Sequence, residues 1–247
     1  MKKNKNTRTK AVATLSVITP FYNEVKEIKN LLKDFEKFER KNNIINEYIL
    51  INDCSTDASM LVINNFIKKT SKNLKKKVKI YQNNKNIGWC KTLLKGYKIA
   101  KSENVIFIPG DAEVRLTNFY KNIHLDKKQV VLIERKEMPG RPYSRILISY
   151  LYRYAVSIIF NVKLLDYNSV IILKKKLLSK LNLQSNSFFI SAEIIVKAFH
   201  FGFDINTSHK LRLYKKEKYK STSMSLLSLV KVGVDALKTL SFLYLKN

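Results

Sequence analysis

Short apolar runs alternate with longer amphipathic stretches through the first half of the chain. Leu15-Ser-Val-Ile-Thr19 reads as a buried strand halted by Pro20. From Glu24 to Arg40 the apolar residues fall at Ile28, Leu31, Leu32, Phe35 and Phe38, the spacing of one helix face. Tyr48-Ile-Leu-Ile51 is a second strand, ending in Asn52-Asp-Cys-Ser-Thr-Asp57. There Ser55 or Asp57 is suited to cap a helix with apolar positions at Met60, Leu61, Ile63 and Phe66. Val78-Lys-Ile-Tyr81 predicts a third strand, Gly88 to Ala100 a third helix, and Val105-Ile-Phe-Ile108 a fourth strand broken by Pro109-Gly110. This alternation predicts an α/β fold with a mostly parallel sheet covered by helices. Ligands of such sheets bind beyond the carboxyl ends of the strands. The polar clusters after Thr19, Ile51 and Ile108 all fall there.

Beyond residue 115 the pattern changes. Val130 to Glu134 is another strand, and Arg145 to Phe160 a tyrosine-rich apolar helix. Asp166 to Leu173 and Lys210 to Tyr214 are expected to pair as strands. Ser191 to Phe201 forms a helix stopped by Gly202. No internal repeat or linker interrupts the chain. The expected organisation is one domain over 1–223, with a basic tail at 1–13, followed by an amphipathic tail over 224–247.

Composition narrows the class. With 247 residues, 45% apolar and 27% charged, the chain suits one large globular domain and is too apolar for disorder. Six Gly, four Pro and two Cys exclude collagen-like and disulfide scaffolds. Cys54 and Cys90 have no CxxC or CxxH partner, which points to a reducing compartment and no zinc module. His124, His200 and His209 lack metal-ligand spacing. The basic start (Lys2, Lys3, Lys5, Arg8, Lys10) is not followed by the apolar core of a secretory signal. No apolar run of about 18 residues is present. The expected location is therefore cytoplasmic.

The 47 Lys and Arg exceed the 19 Asp and Glu, giving a net charge of +28. A general Lys and Asn bias accounts for this as well as attraction to nucleic acid, anionic lipid or a phosphorylated substrate does. No recognisable nucleic-acid module accompanies it, so a basic nucleic-acid-binding protein is only a remote alternative.

Four pieces carry the candidate chemistry: Pro20-Phe-Tyr-Asn-Glu24, Asn52-Asp-Cys-Ser-Thr-Asp57, Asn86-Ile-Gly88 and Gly110-Asp-Ala-Glu113. In this order, at strand ends and a helix start, they resemble the family-two glycosyltransferases of the GT-A (Rossmann-like) fold, over residues 14–120. The resemblance implies transfer of a sugar from a nucleotide-diphosphate donor, with inversion. It places the donor on Pro20, Tyr22, Glu24, Asp53, Asn86 and Gly88. Tyr22 would offer its ring to the base, while Asp53 and Glu24 accept hydrogen bonds from base or ribose. Ser55 and Asp57 serve equally as turn and cap residues.

The diphosphate leaving group implies Mg²⁺ or Mn²⁺. The family holds the cation in an Asp-x-Asp loop, from which this chain departs. Strand alignment puts Pro109 at the first Asp and Asp111 at the second; a shift of two pairs Asp111 with Glu113. Asp111 is thus the expected metal and catalytic carboxylate, with Glu113 as second ligand.

The second half resembles the polyprenyl-phosphate (dolichol-phosphate-type) sugar transferases. The matching pieces are Arg135 after a strand, Arg145 and Ser149 on a helix, Asp166-Tyr-Asn-Ser169, Phe189-Ile-Ser-Ala-Glu193, and the basic run Arg212 to Ser221. Val170 replaces that subgroup's Gly, and a Lys-rich run replaces its Gly-rich loop. A polyprenyl phosphate acceptor needs cations to place an oxygen that is already ionised; Arg135, Arg145, Arg212 and Lys218 are the candidates. The alternative is a glycan hydroxyl, as in surface polysaccharide synthesis, which needs a carboxylate base. Asp166 and Glu193 are the candidates for that role.

In Met224 to Leu245, Ser228, Lys231, Asp235 and Lys238 form a polar stripe among Leu and Val; Ile146 to Phe160 carries Tyr150, Tyr152, Arg153 and Tyr154 among aliphatics. Both stretches suit the interface of an anionic membrane. That would make the protein peripheral on its cytoplasmic face. Packing on the domain or on a second subunit is the other reading.

Overall fold

The computed structural model describes residues 14–118, 130–136, 143–163, 166–212 and 225–245; the side chains at 135, 136, 145, 208–212 and 226 fall outside that description. The first half runs β1 (Leu15–Phe21), α1 (Ile28–Glu39), β2 (Ile45–Asn52), α2 (Ser59–Lys69), α3 (Lys72–Lys77), β3 (Val78–Gln82), α4 (Trp89–Ile99) and β4 (Asn104–Phe107). A 3₁₀ turn follows at Leu116–Asn118, then β5 (Val130–Lys136), α5 (Tyr143–Phe160), β6 (Val170–Lys174), α6 (Lys175–Leu181), α7 (Ile190–His200), β7 (Ile205–Arg212) and α8 (Leu226–Tyr244).

The strands form one sheet in the order β3-β2-β1-β4-β6-β5-β7. Parallel pairing joins β3, β2, β1 and β4, and also β5 with β7, while β6 runs antiparallel to both neighbours. This is the expected α/β architecture. Alternation along each strand sends Leu15, Val17, Tyr48, Leu50, Ile106 and Ile172 into one core beside α1. Ile18, Ile49, Ile51, Val105, Ile171 and Leu173 enter a second core with α4 and α7. All five apolar positions of the first helix are buried, as its spacing predicts.

The structure departs from the sequence pattern at several points. Pro20 does not halt β1, which continues to Phe21 with Pro20 opposite Ile51. Ile18 O accepts Ile108 N–H on the β4 side, the side Pro20 also faces two residues later. There β4 has already ended, so the missing N–H breaks no ladder bond. Neither Ser55 nor Asp57 occupies the cap position of α2, which is Ala58 without a side-chain cap. The described part of 210–214, within β7, does not pair with 166–173: β6 lies between β4 and β5, and β7 pairs with β5; residues 213 and 214 lie outside the described residues. Four of the five β6 residues are buried, which requires an interior position with both faces covered.

The C-terminal stripe also divides. Asp235 and Thr239 are buried, and Asn186 N–H donates to the Asp235 carboxylate at 2.8 Å. Leu227, Val230, Val234 and Leu237 of the same helix face outward, Leu237 at 67% exposure. Helix α5 likewise exposes Tyr143, Leu147, Tyr150, Leu151, Tyr154 and Ile158. Among the described residues no helix is long and apolar enough to cross a membrane.

Helix α4 lies so close to the sheet that a Cβ on Gly96 would sit 2.3 Å from Ile18 Cγ2 and 3.1 Å from Ile51 Cδ1. In an open helix, Gly→Ala gains up to about 1 kcal/mol. Here Ile18 is wholly buried on a central strand and has nowhere to yield. Gly96→Ala is therefore expected to reverse that sign and destabilise by about 1–3 kcal/mol in urea titration; a stabilised variant would contradict this packing.

Candidate active site

Four strand ends open on one edge. β1 leads into residues 22–25, β2 into 53–58, β3 into 83–88 and β4 into 108–113. Because β6 is reversed, the turn that precedes it reaches the same edge: Ile172 pairs with Ile106, and Val170 with Ile133. Strands β5 and β7 run with β4 and carry the backbone of Arg135 and Arg212 to this edge, where Lys136 lies opposite Arg212. The side chains of Arg135, Arg145 and Arg212, and all of Lys218, lie outside the described residues.

Asp53 organises the loops after β2 and β3. Its backbone N–H donates to Phe21 O, which holds the end of β2 against β1. Its buried carboxylate accepts Asn83 Nδ2 at 2.8 Å, Ile87 N at 3.0 Å and Gly88 N at 2.9 Å. Gly88 N also donates to Asn86 Oδ1, and Gly88 adopts φ +86°, a left-handed conformation glycine tolerates. The Asn86-Ile-Gly88 piece is thus a loop drawn onto a buried carboxylate. Asn83 extends the network by donating to Thr92 Oγ1 at 2.9 Å and accepting Lys95 Nζ at 2.7 Å. Sequence reasoning missed Asn83 and Thr92, because polar residues in a strand end and a helix carry no motif.

The first two loops are stitched together. Asn23, at φ +55°, accepts Thr56 N–H at 2.8 Å on Oδ1 and donates its own N–H to Ser55 Oγ. Glu24 N–H donates to Ser59 Oγ, and Val25 N–H to Asp57 Oδ2. Ser55 thus bridges the two loops, while Asp57 bridges them through Oδ2 and accepts Ser59 N–H, the first of α2, on Oδ1 at 2.9 Å. Tyr22 stands beside this seam, 44% exposed. Desolvation acts to raise the Asp57 carboxyl, but hydrogen bonds from Ser59 and Val25 outweigh it and hold the group below the usual carboxylate range.

The fourth loop packs directly on the first. A Cβ on Gly110 would come 2.7 Å from Phe21 Cβ and 3.2 Å from Pro20 O, so only glycine lets the turn approach. Asp111 Oδ1 accepts Glu113 N–H across Ala112, at φ +56°. Asp34 of α1 anchors the far side of the loop, accepting Leu116 N–H at 2.7 Å and Thr117 Oγ1–H at 2.5 Å. Burial still holds its carboxyl above the ordinary value.

Among the described residues no group of three His, Cys, Asp or Glu converges to hold a metal. A pair of carboxylates such as Asp111 and Glu113 could still hold a hard cation if a phosphate ligand completed its shell, since Mg²⁺ is commonly bound through one or two carboxylates plus phosphate oxygens. Asp166 opens the turn before β6; its Oδ1 accepts Asn168 N–H at 3.0 Å. Glu193 is not placed to act as a base. It is fully buried, accepting Gln184 N at 2.8 Å, Ser185 N at 2.9 Å and Lys197 Nζ at 2.5 Å. Its carboxylate fixes the loop before α7, and proton transfer would leave Lys197 a buried unpaired charge.

A family model described as Glycosyl transferase family 2 matches residues 16–163, from β1 through the end of α5. The chain belongs to this family. The GT-A-like fold of family 2 accounts for the loops gathered at the carboxyl edge. An uncharacterized protein of Methanocaldococcus jannaschii is 35% identical over 98 residues, a match spanning 38% of either chain. Solved structures share the fold as well. S. aureus TarS 1-349 in complex with UDP-GlcNAc is 20% identical with a TM-score of 0.64, over 93% of this chain and 66% of that one. The mannosyltransferase PcManGT from Pyrobaculum calidifontis, in complex with GDP-Man and Mn²⁺, is 17% identical with a TM-score of 0.62, over 91% and 64%. Glucosyl-3-phosphoglycerate synthase from Mycobacterium tuberculosis, in complex with UDP, is 15% identical with a TM-score of 0.67, over 93% and 80%.

The seam between the first two loops has a pH signature. Asp57→Ala is expected to cost about 1 kcal/mol at neutral pH, the usual cost of losing a side-chain acceptor at a helix start. Because the folded carboxyl lies below its unfolded value, this contribution is complete above the unfolded value and lost as pH falls through the folded one. Urea titrations should show variant and wild type converging in acid; a gap that does not change with pH would rule out the charged carboxylate as its source.

Proposed function

We propose that this family 2 protein moves a sugar, with inversion, from a nucleoside diphosphate to a glycan hydroxyl. The observation that carries the reading is the meeting of the Tyr22–Glu24 loop, the Asp53-held 83–88 loop and the Gly110–Glu113 turn on one edge. In this reading Tyr22 faces the base, and Pro20 sets the loop that presents it. Glu24 accepts from the ribose. Asp53 has about four acceptor sites, and three are taken by its own loops. It holds the donor mainly by fixing Asn86 and Gly88, with one site for base or ribose.

Asp111, with Glu113, would hold Mg²⁺ or Mn²⁺. When bound, the cation neutralises charge on the departing diphosphate. The presence of Mn²⁺ in complexes of PcManGT and of glucosyl-3-phosphoglycerate synthase supports that class of cofactor. Asp166, oriented by Asn168 N–H, takes the proton of the attacking hydroxyl.

A second reading places a polyprenyl phosphate in the acceptor position. The outward apolar faces of α5 and α8 favour it, together with the basic positions Arg135, Lys136 and Arg212 at the edge. These faces would rest on an anionic leaflet on the cytoplasmic side, where each nearby Lys or Arg adds about 1 kcal/mol. An ionised phosphate acceptor needs no base, so the two readings differ at Asp166.

Thermal shift with UDP- and GDP-sugars, with and without Mn²⁺, identifies the donor. Asp111→Ala is expected to abolish transfer while leaving the melting temperature within a few degrees. Near-normal turnover at saturating Mn²⁺ would remove it from the mechanism. Asp166→Asn should reduce kcat by about 10²–10⁴-fold with a hydroxyl acceptor, whereas full activity on polyprenyl phosphate would favour the second reading.

Membrane attachment is measured separately. The protein is expected to sediment with anionic liposomes, with high salt releasing only part of it. Leu147→Glu with Leu237→Glu should abolish that sedimentation without changing donor affinity. Failure of the wild type to sediment would remove the membrane from the second reading.

A further inference from the structure

The donor-loop geometry leaves an aromatic cluster at the same edge unused. Trp89, the single tryptophan of the chain, follows Gly88 at the start of α4, so the Asp53 clamp also fixes its position. Its ring meets Phe107, at the end of β4, edge-on at 5.2 Å and 68°. On its other side Phe188 stacks at 5.3 Å and 25°. Phe188 is 42% exposed, while Phe189 beside it is fully buried.

The loop that presents Phe188 is held rigidly. Helix α6 leaves the amino edge after Lys174, which pairs with Asn104, and brings residues 182–189 back toward the carboxyl edge. There Gln184 and Ser185 donate N–H bonds to Glu193, and Asn186 donates to Asp235 of α8. The Cys90 thiol donates to Ser185 O at 3.0 Å; burial, with Asp235 and Glu193 nearby, pushes that thiol up to about 12 and keeps its proton in place. Two buried carboxylates thus fix the backbone leading to a ring that faces water. Buried carboxylates are costly unless fully paired, and an exposed ring forgoes the gain of burial. Such an arrangement suits a preorganised surface that a ligand covers.

We propose that Phe188, backed by Trp89 and Phe107, is a stacking platform for the C–H face of a hexopyranose. Sugars present polar hydroxyls around the ring edge and an apolar face of C–H groups. The negative quadrupole of an aromatic face attracts those polarised hydrogens, and the same contact removes apolar area from water. The sugar is either the one carried by the donor or one in the acceptor glycan. Its role in catalysis rests on the transferase reading above; its stacking chemistry does not.

Trp89 makes the test direct, because its emission reports on anything that covers Phe188. Wild type and variants are titrated with UDP-GlcNAc, GDP-mannose, UDP, GDP and chitotetraose, by tryptophan fluorescence and calorimetry. Phe188→Ala is expected to weaken a sugar-bearing probe about tenfold and leave UDP and GDP unchanged, with Phe188→Tyr restoring affinity. Phe188→Leu keeps apolar packing on Trp89 and should fold like wild type yet lose affinity, which separates stacking from stability. A loss confined to nucleotide sugars assigns the donor sugar, and one confined to chitotetraose assigns the acceptor. Changes below about twofold for every probe, or equal losses for UDP and GDP, overturn the platform. If UDP and GDP do not bind the wild type, the transferase reading fails on its own. The platform then stands only on chitotetraose binding that Phe188→Ala weakens, and falls without it.

Discussion

The site is organised around one buried carboxylate taking three N–H donors. A parallel sheet leaves its strand ends pointing at a common edge, and the loops there must satisfy backbone groups that no strand pairs. Asp53 meets that need for residues 83–88, reaching Asn83, Ile87 and Gly88 at 2.8–3.0 Å. Through Asn83 it also reaches Thr92 and Lys95, so α4 is aligned by the same group that shapes the loop before it. Asn23, Ser55, Asp57 and Ser59 do the equivalent work between the first two loops. Loops tied to one another in this way are ordered by the chain's own hydrogen bonds, which lowers the ordering cost of any binding there.

Reversal of β6 completes the site. In an all-parallel sheet the segment before a strand would enter from the amino edge, away from the other loops. With β6 antiparallel between β4 and β5, the Asp166–Ser169 turn arrives beside the Gly110–Glu113 turn instead. Strands β5 and β7, running the other way, deliver Arg135, Lys136 and Arg212 by their backbone register. Backbone positions from distant parts of the chain are brought to one edge by strand direction alone.

The C-terminal half trades surface polarity for packing. Glu193 and Lys197 form an ion pair with neither side chain exposed, and the Lys197 ammonium also lies 4.1 Å from the Phe242 ring centre. Such a pair repays its desolvation only when its remaining hydrogen bonds are met. Here Gln184 N, Ser185 N and Asn182 O meet them. Asp235 plays a similar part from α8. Leu243, with Val232, Ala236, Leu240 and Phe242, packs on the second core, while Leu227, Val230, Val234 and Leu237 of the same helix face outward.

Much of this was legible in the chain. Apart from the short α3, which no apolar spacing marked, the order of strands and helices to residue 108, the buried face of α1 and the left-handed Gly202 stop follow from local periodicity and turn chemistry, which depend on near neighbours. The four polar pieces and the family they mark were legible for the same reason, since strand ends carry recognisable polar residues. Tertiary structure alone decided which strand lies beside which, because pairing of β6 with β4 joins residues about seventy apart and no local pattern encodes it. It also decided what each carboxylate does. Asp57, Glu193 and Asp235 read as a cap, a base and a solvent-facing charge, yet each is turned onto backbone amides of another segment. A carboxylate's role is set by the donors that surround it in three dimensions, and those donors lie beyond the reach of its own sequence window.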